Sequence, residues 1–106
     1  MTYIVSATSL VILAQFTLPG STPPTRTPAE TCADPMVLPG EYGGIDLGQC
    51  VKQEEIWKAI AIARWQDIDY GKRIAPKHTL YSWRTLACNA LENARRPTKG
   101  CPPQKD

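Results

Sequence analysis

QCVKQEEIWKAIAIARWQDIDY, residues 49–70, is the stretch whose reading decides the fold. It contains no glycine or proline and is rich in Ala, Ile, Glu, Lys and Gln, all compatible with a helix interior. Its apolar members Ile56, Trp57, Ile60, Ala61, Ala63 and Ile68 recur at three- and four-residue intervals, the period of one helix face. Glu54 and Glu55 near the start suit the helix dipole, and Glu54 with Lys58 forms a favourable i,i+4 pair. Gly71 followed by Lys72 and Arg73 reads as the stop. Such a helix spans about 30 Å.

Downstream, Pro76 breaks the chain and Thr79 is a candidate N-cap for a second helix from Leu80 to Arg95. Leu80, Trp83, Ala87, Ala90, Leu91 and Ala94 fall within one arc of that helix, and Pro97 ends it. Two helices joined by a short connection most simply form an antiparallel hairpin. The expected fold is therefore all-α: a small antiparallel helical hairpin with an irregular Pro/Gly-rich N-terminal arm, linked by two disulfides.

Upstream, the composition changes. Residues 19–31 form a Pro/Thr-rich stretch without apolar periodicity, expected to be extended and solvated. Turn signals at Asp34-Pro35, Pro39-Gly40 and Gly43-Gly44 make the segment to Gly48 an irregular ordered loop, with Met36, Val37 and Leu38 as an apolar foot. Tyr3 to Leu18 is uncharged and largely apolar, shorter than the ~20 residues of a membrane-spanning helix. Ile4 to Leu13 fits the apolar centre of a signal peptide, although no Lys or Arg precedes it. The organisation read from the chain is residues 1–20 as signal peptide or short membrane anchor, 21–31 as linker, and 32–106 as the disulfide-linked helical domain.

The four cysteines, Cys32, Cys50, Cys88 and Cys101, fit export into an oxidising compartment, secreted or periplasmic, where they pair to support a core small for its surface. With a hairpin bend near residue 75, Cys50 lies level with Cys101, which favours Cys50–Cys101 with Cys32–Cys88. The sequential set, Cys32–Cys50 with Cys88–Cys101, is also sterically possible. Every gap between cysteines exceeds the close spacing of zinc ligands, so no metal is expected, and His78 reads as a polar loop residue.

The net charge of +2 conceals a gradient: residues 71–106 carry eight bases against Glu92 and Asp106, giving +6. Asp67 and Asp69, two apart on a helix, point in different directions and read as a solvated face rather than a catalytic pair. No nucleophile elbow, phosphate loop or dinucleotide fingerprint occurs, so neither enzyme activity nor a cofactor is expected. Aromatic residues amid cations are the more informative signal. Trp57 and Trp83 belong to the apolar arcs, whereas Trp65 and Tyr81 lie off them and are the candidates for exposure. The expected contact surface is Trp65, Tyr70, Lys72, Arg73, Lys77 and Tyr81, around the bend. The expected work is binding another protein, as a secreted effector, inhibitor or accessory envelope factor. An anionic membrane surface is a second candidate partner, and export disfavours nucleic acid. The rival readings are a membrane-anchored accessory subunit and a cytoplasmic basic adaptor with reduced thiols.

Overall fold

The computed structural model describes residues 20–75, 81–96 and 98–101. Within them the chain is helical and forms no strand. The expected leader or anchor at 3–18, the N-cap Thr79, Lys77 and His78 lie outside the described residues. Among the described residues no helix is long and apolar enough to cross a membrane.

Helix α1 (Pro28–Cys32) is short but fully capped. Thr27 accepts from the Glu30 amide, Glu30 accepts in return from the Thr27 amide, and Pro28 occupies a first-turn position that needs no donor. Arg26 donates to the Thr31 hydroxyl at 3.1 Å and to the Tyr81 carbonyl, and its guanidinium stands 5.0 Å from the Trp83 ring centroid. Thr31 and Cys32 are buried. Residues 21–27 form no helix and are largely exposed, as their Pro/Thr composition suggests, but the end of the stretch is a folded arm held on the domain by Arg26.

A wide turn follows at Met36–Glu41, closed by five-residue hydrogen bonds from Gly40 to Pro35 and from Tyr42 to Val37, and buries Val37. Helix α2 (Leu47–Ala63) begins at Asp46. Its carboxylate accepts from the Gln49 amide at 2.8 Å while the Gln49 side chain accepts from the Asp46 amide, a second capping box. Cys50, Glu54, Trp57 and Ala61 are its buried residues, at intervals of four, three and four.

Helix α2 stops at Ala63 rather than Tyr70. A short 3-10 turn (Trp65–Asp67) and the single-turn helix α3 (Tyr70–Arg73) occupy the rest of the stretch. The cause is tertiary. The Asp69 amide donates to Asn89 Oδ1 at 2.8 Å and the Asp67 carbonyl accepts from Asn93 Nδ2 at 2.7 Å, so the backbone is turned across its neighbour.

That neighbour is helix α4 (Trp83–Asn93), capped by Ser82, whose hydroxyl accepts from the Thr85 amide at 3.0 Å. Trp83, Leu86, Ala87, Cys88, Asn89, Ala90 and Leu91 are all buried, so α4 is the centre of the core. Helix α2 packs on one side of it and the 3-10 turn on another, while α1 packs on α2. The helix closes through paired bonds, Arg95 to the Glu92 carbonyl and Arg96 to the Leu91 carbonyl, with Arg95 at φ +57° in a place that favours glycine.

The hydrogen bonds between the two long helical segments do not trace the expected antiparallel hairpin. Glu54 meets the start of α4 at Trp83 and Arg84, whereas Asp67 and Asp69 meet its later residues Asn89 and Asn93. Both segments are thus climbed in the same chain direction. The favoured cysteine pairing falls with that geometry. Cys32 is bonded to Cys50 (Cα–Cα 6.1 Å) and Cys88 to Cys101 (5.6 Å), the sequential set, and no cysteine is free. Cys50 lies beside α1, which packs on α2, and Cys101 folds back on the helix that precedes it.

Candidate functional site

Two places in the fold gather chemically active side chains, and only one was expected from sequence. The expected one is the contact surface around α3. Tyr70 is 53% exposed, Ile74 beside it is exposed, and Lys72, Arg73 and Tyr81 are half-buried. The cations lie against the rings: Lys72 Nζ is 5.8 Å from the Tyr81 centroid and the Arg73 guanidinium 5.5 Å from that of Tyr70. Arg73 is further held by Gln66 Oε1 at 3.1 Å and the Gly20 carbonyl at 3.4 Å. Lys72 also faces Asp69 at 3.9 Å.

Trp65 does not belong to that surface. It is 5% exposed, and its indole N–H donates to the Gly20 carbonyl at 2.6 Å. The early end of α2 swings the ring inward, where the returning N-terminal arm supplies the acceptor that a buried indole requires. Its edge borders a shallow hollow of about 350 Å³ shared with Pro23 and Ile62.

The second place is a polar cluster at the N-terminus of α4. Glu54 is wholly buried, correcting its assignment to a helix-dipole and i,i+4 role at the surface. Its carboxylate accepts from Tyr42 Oη at 2.8 Å, from the Trp83 amide at 2.8 Å and from the Arg84 amide at 3.0 Å. Those amides are the first two of α4 and have no partner inside their own helix. Glu54 supplies the acceptor from a different helix, and Ser82 satisfies the third amide.

Glu41 repeats the arrangement one layer out. It accepts from the Ser82 hydroxyl at 2.7 Å and pairs with Arg84 Nη1 at 3.4 Å, while Arg84 Nε and Nη2 donate to the Gly100 carbonyl at 2.9 and 2.6 Å. Two carboxylates, one tyrosine and one arginine thus bind the wide turn, α2, α4 and the C-terminal segment together. On the other side of Trp83, Arg26 at 5.0 Å and Lys58 at 5.5 Å flank the ring.

Electrostatics follow from burial. Removal from water pushes the Glu54 carboxyl above the ordinary glutamate range, and its three donors oppose that shift without cancelling it. Burial, then the bond to Glu54, pushes the Tyr42 hydroxyl up. Burial lowers Arg26, opposed by the charges of Glu54 and Glu30. Asp69 behaves oppositely: the Asn89 and Asn93 amides donate to its carboxylate and hold it below the usual aspartate range. Asp67 is paired with Arg64 at 3.6 Å. Both aspartates remain exposed, as expected for a solvated acidic pair, but they lie beyond the end of α2 and each has its own partners.

Beside the cluster lies a groove of about 490 Å³ whose lining includes Tyr42, Trp57, Gly100, Lys52 and Lys99. Tyr42 uses its hydroxyl inward, and Arg84 is fully engaged. Among the described residues, no group of His, Cys, Asp or Glu side chains is arranged to hold a metal ion.

Sequence reasoning missed Glu54 and Glu41. The available signal was position: Glu54 sits between Cys50, Trp57 and Ala61 on one helical arc, inside the apolar stripe rather than beside it. Comparison of the chain with protein-family profiles, with curated proteins and with solved structures gave no match.

Proposed function

We propose that this chain is a small protein-binding factor of an oxidising compartment, engaging its partner through the surface around α3. The single observation that carries the reading is Tyr70, a large aromatic side chain 53% exposed with the Arg73 guanidinium 5.5 Å from its ring centroid. Aromatic and cationic groups together anchor protein interfaces, because they bury apolar area and keep a polar edge for the partner. Two disulfides with no free cysteine support an extracytoplasmic setting over a reduced cytoplasmic one. The basic character of the C-terminal third favours a partner with an acidic face.

The test is affinity capture with the full, disulfide-intact chain as bait against extracytoplasmic proteins of its source cell. Wild type retains a partner, and a Tyr70→Ala, Lys72→Glu variant with unchanged circular dichroism releases it. Retention by that variant moves the contact surface elsewhere, and no retained protein with wild type removes the reading.

A further inference from the structure

The groove beside the Glu54 cluster is assembled from three parts of the chain that other contacts already hold in place. Its base is α2, where Gln49, Lys52, Gln53 and Trp57 recur at helical spacing and span about 12 Å. The second part is the end of the wide turn, fixed by Tyr42 on Glu54 and by Glu41 on Ser82. The third is Lys99 and Gly100, fixed by Arg84 on the Gly100 carbonyl and by the Cys88–Cys101 bridge. Gly100 adopts φ +98°, and a Cβ added to it would lie 3.5 Å from Trp57 Cζ2, which places Lys99 toward the Trp57 end of the base. The groove is thus formed before anything enters it.

The chemistry of the lining identifies what it takes. Glu41 and Arg84 neutralise each other at 3.4 Å. Among the described residues, no carboxylate lies within ion-pair distance of Lys52 or Lys99, so the lining keeps two exposed positive charges unbalanced. Its rings are spoken for: Trp57 is 7% and Tyr42 9% exposed, and Arg84 stands 5.7 Å from the Tyr42 centroid. Nucleobases need open aromatic faces to stack on, and neither ring offers one. The exposed polar groups are instead the Gln53 carboxamide and the Gln49 amino group, the Gln49 carbonyl being used by the Asp46 amide. Carboxamides pair with peptide N–H and C=O groups, and ammonium groups with carboxylates.

We propose that this groove binds an extended acidic peptide segment of another protein, its carboxylates on Lys52 and Lys99 and its backbone on Gln49 and Gln53. The base accommodates about four residues of extended chain, whose alternate side chains share one side at a spacing of about 7 Å. A small carboxylic acid fits less well, because small-molecule sites enclose most of their ligand, and this groove is bordered by exposed lysines and glutamines. Tyr70, Lys72, Arg73 and Tyr81 take no part in the groove, and the inference does not depend on what they bind.

Nuclear magnetic resonance titration of the full, oxidised, isotope-labelled chain with a short blocked peptide alternating glutamate and valine, up to about 1 mM, tests it. The amide signals of Gly43, Gln53 and Gly100 move and saturate, and the same peptide with glutamine for glutamate binds about tenfold more weakly or less. Gln53→Trp fills the groove and abolishes binding, while Lys52→Ala and Lys99→Ala each weaken it roughly fivefold, all with unchanged circular dichroism. Signals that stay fixed throughout overturn the inference and leave partner capture through Tyr70 standing. So do shifts confined to other residues, or binding indifferent to Gln53→Trp and to both lysine substitutions. Equal shifts with free glutamate at the same carboxylate concentration also overturn it, since they mark attraction of charge without recognition of a peptide.

Discussion

The inner and outer faces of α2 carry the wrong polarity for their positions if residues are read one at a time. The inner face has a carboxylate at its middle and is wholly buried, while the outer face carries two isoleucines and is open to solvent. The difference teaches that burial here is decided by which backbone groups need partners. The first amides of α4 emerge against α2, and only an acceptor at Glu54 satisfies them within the core. An unmet buried amide costs about as much as a methylene cluster gains.

The comparison breaks most severely at Glu54. Glu54→Ala leaves two amides and the Tyr42 hydroxyl without their acceptor and costs about 3–5 kcal/mol in equilibrium unfolding, enough to unfold a domain of this size. Removing the disulfide on the same face by Cys32→Ala with Cys50→Ala costs about 2–4 kcal/mol and is read in the same denaturation experiment. On the opposite face, Ile56→Ser and Ile62→Ser change stability by no more than about 0.5 kcal/mol. An effect there as large as that at Glu54 would mean that the outer face is part of the core.

How much of this was legible in the sequence follows from the same two faces. The helical class, α2's first turns and most of α4's apolar arc were legible, since Trp57, Ala61, Trp83, Ala87, Ala90 and Leu91 are buried as their periodicity implies, but Ile56 and Ala63, assigned to the same face as Trp57, are exposed. The early end of α2 was not, because nothing between residues 49 and 70 breaks a helix. Asn89 and Asn93, twenty and more residues away, turn the backbone there. The cysteine pairing depended on that turn, and so did the burial of Trp65. Of the expected contact surface, Arg73 lies against Tyr70 and Lys72 against Tyr81, Trp65 is buried, and Lys77 falls outside the described residues.

The pH dependence sharpens the contrast. Glu54's folded pKa is raised, so its contribution to stability is fully present below the unfolded carboxylate pKa and declines as pH rises through the folded value. Glu54→Gln keeps one acceptor oxygen and removes this dependence, so the variant gains relative to wild type from acid toward neutral pH. Asp69 has the opposite sign: its folded pKa is lowered, and its contribution is lost as pH falls through that value. Thermal unfolding of wild type, Glu54→Gln and Asp69→Asn across acid and neutral pH separates the two slopes. The smallest change lies away from both faces. Arg95→Gly relieves the left-handed backbone at the end of α4 and raises stability by about 0.5–1 kcal/mol in the same melts.

The central claim is that a carboxylate on α2 closes the open end of α4, and amide hydrogen exchange at Trp83 and Arg84 tests it most directly. First-turn amides of a helix lack partners within it and ordinarily exchange with solvent at once. The account predicts that these two exchange only through global unfolding, as slowly as the amides in the middle of α4. Rapid exchange of both under native conditions would contradict it.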